Sequence, residues 1–130
     1  MRQTLFEEKY PIYTLELDKS ETSYGSADEI IAYFRERIEA QRTARYIATF
    51  DHYAHTRSIE GSVIGDGIVA AKSIIFCFSP QLPNAQVMAT RPRSIGVTEL
   101  TDKFVINFME VPMPAANIVM EEWAESLKNV

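Results

Sequence analysis

Lys72-Ser-Ile-Ile-Phe-Cys-Phe-Ser-Pro80 is the most apolar run of the chain. It is rich in β-branched and aromatic residues, and Pro80, which has no N–H to give a ladder, stops it. A run of that length reads as a strand buried on both faces, the centre of a sheet. The flanking segments are expected to supply the layers that cover it.

Upstream, Ser58–Ala71 carries Gly61, Gly65, Asp66 and Gly67. Two readings stay open there: a tight Asp66-Gly67 hairpin turn feeding the apolar strand, or an irregular crossover with a short helix. Arg45–Thr56 reads as another strand, whose propensity is strong to Phe50 and fades beyond Asp51. Further back, Ser26 and Glu29 form a capping-box signature. Behind it Ile30, Ile31, Phe34 and Ile38 recur at helical spacing, which predicts a helix from Ala27 to about Gln41. Tyr10–Glu21 alternates, with Tyr13, Leu15 and Leu17 on one side, and reads as a strand of a half-covered sheet.

Downstream, Gln81–Arg93 contains Pro83, Asn84 and Pro92 around Ala85–Ala89 and fits a short surface helix or loop. Ser94–Leu100 and Lys103–Glu110 are joined at Thr101-Asp102, an antiparallel hairpin. Pro114 suits the first turn of a last helix whose apolar stripe is Ala116, Met120, Trp123 and Leu127. Strands grouped together with helices at both ends predict an α+β fold, an antiparallel sheet with helices packed on one face. At 130 residues, with no internal repeat, the chain is read as one domain over 1–130.

Formal net charge is −5, and the densest basic patch, Arg35, Arg37, Arg42 and Arg45, is broken by Glu36 and Glu39. Nucleic-acid binding needs cations matched to phosphates, so it is not expected, and the patch reads as a solvated helix face. No stretch approaches the roughly 18 apolar residues of a membrane span, so no membrane partner is expected. The first ten residues hold no apolar signal core, and the chain is expected to be cytoplasmic. One cysteine, Cys77, excludes an intramolecular disulfide and a cysteine-only metal site, and suits a reducing compartment.

From Tyr46 to Pro112 short motifs carry a resemblance. Phe50-Asp51-His52 ends one strand, and Phe76-Cys77-Phe78-Ser79-Pro80 closes an apolar one. Gln86-Val87-Met88 follows, then Val97-Thr98-Glu99-Leu100-Thr101-Asp102, then Phe104-Val105-Ile106-Asn107-Phe108 with Pro112. In these the chain resembles a bacterial domain-of-unknown-function family, number three hundred and two. It departs from that family where Phe78-Ser79 replaces Gly-Asn before the proline, and where Ile95-Gly96-Val97-Thr98 replaces Leu-Pro-Leu-Lys. The resemblance implies a β-α-β4-α fold similar to that of the TATA-binding protein, without a settled activity. By analogy of fold it also implies a cavity between helix and curved sheet that would take a small apolar ligand.

Asp51-His52-Tyr53-Ala54-His55 is the one cluster with chemical potential. Two histidines and a carboxylate could bind a metal, or Asp51 could orient a histidine acting as a general base. On a straight strand His52 and His55 point to opposite faces, so they converge only if the chain turns there. The competing reading, a polar strand end that caps a turn, is preferred. Cys77, between Phe76 and Phe78, reads as a buried inert thiol before it reads as a nucleophile or ligand. Met120, Trp123 and Leu127 are candidates for an interface or cavity wall, with core packing the preferred use. Gly61, Gly65 and Gly67 fit no phosphate-binding pattern.

No cofactor is assigned, and no reaction. The leading expectation is a non-enzymatic ligand-binding or accessory protein, followed by a homodimeric interaction module. An enzyme built on Asp51, His52 and His55 comes last.

Overall fold

Alternation decides the sheet. The computed structural model describes residues 1–129. In Tyr10–Asp18 (β2) the buried Leu15 and Leu17 point one way and the exposed Glu16 and Asp18 the other. The remaining strands among the described residues are Arg2–Phe6 (β1), Arg45–Asp51 (β3), Ala70–Cys77 (β4), Arg93–Glu99 (β5) and Lys103–Met109 (β6). All neighbours pair antiparallel, in the order β1-β2-β6-β5-β4-β3. Three α-helices accompany them, Ala27–Ala40 (α1), His52–Arg57 (α2) and Pro114–Glu125 (α3). The α+β architecture read from the sequence is the one observed.

One sheet face is covered. Leu15, Leu17, Ile74, Phe76, Ile95, Val97, Phe104 and Ile106 meet Ile30, Phe34 and Ile38 of α1 and Met120 and Trp123 of α3, all buried in one cluster. Each such side chain is worth about 1.5–3 kcal/mol when fully buried, so packing outweighs helix propensity in holding the helices. The start of α1 is fixed three ways. The Glu29 amide donates to Ser26 Oγ (3.2 Å), the Gly25 amide donates to Glu29 Oε2 (3.0 Å), and the Ala27 amide donates to Glu99 Oε1 on β5 (2.9 Å).

Four expectations are corrected. Lys72–Pro80 is not the centre of the sheet, since β4 lies second from the edge and ends at Cys77. Nor is it buried on both faces: Ile74 and Phe76 are buried while Ser73, Ile75 and Cys77 stay half-buried. The buried residues of α1 and α3 pack on the Ile74 and Phe76 side, so strand propensity, and not double burial, accounts for the apolar residues of the other face. The strand read over Arg45–Thr56 stops at Asp51, where the chain turns into α2. Cys77 is half-buried on the open face and not sealed in the core.

Ser58–Ala71 is irregular and holds no helix of its own, since α2 ends at Arg57 before it. Asp66-Gly67 do make a turn, the Ile68 amide donating to the Gly65 carbonyl (3.3 Å), but it is not a two-residue hairpin between paired strands. Gly67, at φ 80°, supplies the left-handed turn before the Val69 amide donates to the Glu99 carbonyl (2.9 Å). The strand β1 carried no sequence signal. Its hairpin turn places Glu7 and Glu8 at φ 52° and 63°, where Asn and Gly are the usual occupants.

Candidate functional site

The turn after β3 builds the cluster that the sequence singled out. Asp51 is the N-cap of α2, its Oδ1 accepting from the Ala54 amide (2.9 Å). One helical turn then places His52 and His55 on a common side, three residues apart. Their ring centroids lie 6.1 Å apart, and each is 5.2 Å from the Phe50 ring. His52 Nδ1 is 3.2 Å from Thr56 Oγ1. Both histidines are exposed.

Asp51 faces away from that pair. Its Oδ2 lies 3.6 Å from Lys72 Nζ, which also meets Asp28 Oδ1 of α1 at 2.5 Å. The Ala54 amide first, and the Lys72 charge after it, hold the Asp51 carboxyl below the usual carboxylate range. The Asp28 carboxylate in turn raises the Lys72 ammonium. The capping role therefore accounts for Asp51. Cys77 is remote from this cluster, because the register pairs it with Arg45 while Asp51 pairs with Lys72. Five residues of strand separate the two ends, roughly 17 Å. Among the described residues no three of His, Cys, Asp and Glu are grouped to hold a metal. Met120, Trp123 and Leu127 are at most 2% exposed, so core packing uses them and an outer interface does not.

A second site lies where sequence reasoning assigned nothing. After β6 the segment Val111-Pro-Met-Pro crosses the end of the sheet to start α3. Buried Asn117 clamps it: the Val111 amide donates to Asn117 Oδ1 (2.9 Å), and Asn117 Nδ2 donates to the Val111 carbonyl (3.0 Å). Beneath this clamp is a pocket of about 130 Å³, walled by Phe78, Val87, Val111, Met113 and Ala116. Phe78 also forms part of the core, stacked on Trp123 at 5.8 Å and 15°. The floor thus connects directly to the chain's single tryptophan.

Arg91 and Arg93 line the same pocket. Arg93 opens β5 opposite Phe76 and alternates with buried Ile95, which puts its side chain on the helix-covered side. One terminal nitrogen donates to the Thr90 carbonyl and the other to the Met109 carbonyl, both at 2.9 Å. Its Nε–H is buried and has no acceptor, and among the described residues no Asp or Glu lies within ion-pair distance. Burial lowers the pKa of the guanidinium, which still holds its proton at neutral pH. Arg91 donates to the Gln81 carbonyl (2.7 Å) and likewise has no carboxylate partner among the described residues. A signal was readable: Arg91 and Arg93 flank Pro92 at a strand start in an acidic chain.

A family model described as a family of unknown function (DUF6858) matches residues 1–129. The match spans nearly the whole chain, where the motif resemblance reached from Tyr46 to Pro112. Comparisons with curated proteins and with solved structures gave no match.

Proposed function

We propose that this chain, which belongs to the family of unknown function DUF6858, is a small-ligand-binding protein without catalytic chemistry of its own. The observation that carries the reading is the apolar pocket beneath the Val111–Pro114 crossing, closed by Phe78, Val111, Met113 and Ala116. Binding sites for small molecules are characteristically concave, apolar and furnished with a few convergent polar groups. The order β2-α1-β3-β4-β5-β6-α3, with the short α2 interposed between β3 and β4, supports kinship with the resembled family and its TATA-binding-protein-like fold. Cytoplasmic residence belongs to the same reading, supported by a free thiol at Cys77. No helix of the described residues is long and apolar enough to cross a membrane.

Native mass spectrometry of the untagged protein, set against its denatured mass and a metal analysis, tests the proposal. A non-covalent organic mass that survives purification and is lost on denaturation is the expected result. A clean apo mass, with no change in Trp123 emission across a set of small apolar probes, removes it.

A second reading, self-association, has an observation of its own. The uncovered sheet face is uncharged through its middle, where Thr14, Ser73, Ile75, Ser94, Gly96, Thr98 and Asn107 stand. In a two-fold contact the residues at the axis meet their own symmetry mates, so a charge at the centre of the face would oppose its like. A neutral face avoids that, and a second copy of this chain is the partner it suits.

A further inference from the structure

We infer that the pocket is built for a small carboxylate with one compact apolar body, and that Arg93, assisted by Arg91, receives its charge. This rests on the pocket being a ligand site. Three features point to an anion. Arg93 is a half-buried cation whose Nε–H is buried and lacks an acceptor and whose visible partners are neutral carbonyls. Enclosing a cation without a counter-charge is costly, and a bound carboxylate would offset that cost.

The pocket also inverts the sign of the molecule. A chain with 18 acidic and 13 basic residues places two arginines and no acid in this lining. Glu110 lines the adjoining open depression and pairs with neither arginine. Finally, α3 opens onto the pocket through Met113 and Ala116 with no side-chain cap and no acidic residue in its first turn. The positive end of its dipole therefore adds to the arginines.

The other chemistry sets the size and class. A cavity of about 150 Å³ takes a benzene ring, and this pocket is about 130 Å³. One ring or one branched aliphatic group fills it. A planar guanidinium matches a carboxylate's two oxygens, and the apolar walls disfavour a fully hydrated ion such as phosphate. Aryl and branched-chain monocarboxylates are the class that fits.

The test is titration of the full chain with benzoate and isovalerate. Their neutral counterparts, benzyl alcohol and isoamyl alcohol, and inorganic phosphate are titrated in parallel. Binding is read by calorimetry and by Trp123 emission through Phe78. At least one carboxylate is expected to bind about tenfold or more tightly than its neutral counterpart, the scale of a charge-assisted hydrogen bond. Arg93→Met is expected to abolish that preference, so that each carboxylate binds no more tightly than its alcohol. Arg91→Gln, whose side chain holds only a loop carbonyl, is expected to reduce the preference without unfolding the chain, should Arg93→Met fold poorly.

Alcohols binding as tightly as carboxylates would leave the ligand site standing and overturn the anion assignment. Phosphate binding in preference to both carboxylates would overturn the apolar-body assignment. No binding by any organic probe would remove the ligand site and this inference together.

Discussion

Asp51 does two things with one carboxylate, and they separate by mutation. Capping α2 needs only an oxygen for the Ala54 amide, whereas the attraction to Lys72 needs the charge. Asp51→Ala is expected to cost about 1 kcal/mol of stability, the usual value of a lost N-cap. Asp51→Asn keeps the cap and is expected to cost less, measured by urea unfolding at pH 7. The carboxyl is held low in the folded chain, so its contribution is present above the unfolded value of about 3.9 and fades as pH falls through the lower folded value. The Asn variant should therefore show a flatter loss of stability as pH falls below the unfolded carboxyl value of about 3.9. Lys72 has the opposite sign. Its raised pKa makes its contribution present below about 10.4 and lost as pH rises through the folded value. The capping role of Asp51 was legible from its residue type at a strand end. Its pairing with Lys72 was not, because the two residues meet only once β3 and β4 are in register.

Among the elements, α3 carries the clearest division of labour. Met120 is fully buried against the sheet, while Ile118, on the same helix, is 57% exposed. Met120→Ala is expected to destabilise by about 2–5 kcal/mol, and Ile118→Ala by about 0.5 kcal/mol or less. Urea unfolding of the two variants checks both values, and a near-neutral Met120→Ala would mean that α3 docks differently. The helix itself was readable, since Pro114 starts it and its stripe has helical spacing. The helix α2 was not readable, because six residues are too short for a period to show, and Tyr53 and Thr56 favour a strand. The same turn brings His52 and His55 together, so the cluster's geometry depended on an element hidden from pattern.

The sheet as a whole leaves one face without a covering layer, and self-association is the prediction that belongs to that scale. Sedimentation velocity at micromolar concentration is expected to give a dimer of the wild-type chain. Ser94→Arg, at an exposed position in the middle of that face, is expected to give a monomer with a similar thermal midpoint. A wild-type chain that stays monomeric as concentration rises would remove the second reading and leave the pocket unaffected.

The sequence by itself determined the α+β class, the β2, β5 and β6 strands, α1 with its Ser26 cap, and α3. Each of these rests on periodicity, capping or a breaker within about fifteen residues, which is the range over which side chains report their own backbone. Only the tertiary structure decided that Lys72–Pro80 lies beside an edge strand, with one face open. Strand order depends on which partners pair, and an apolar run looks the same in either place. The pocket arose in the same way. Phe78, Arg93, Val111 and Ala116 come from four separate segments. Only sheet closure and the Asn117 clamp bring them to one cavity, leaving Arg93 without a counter-charge.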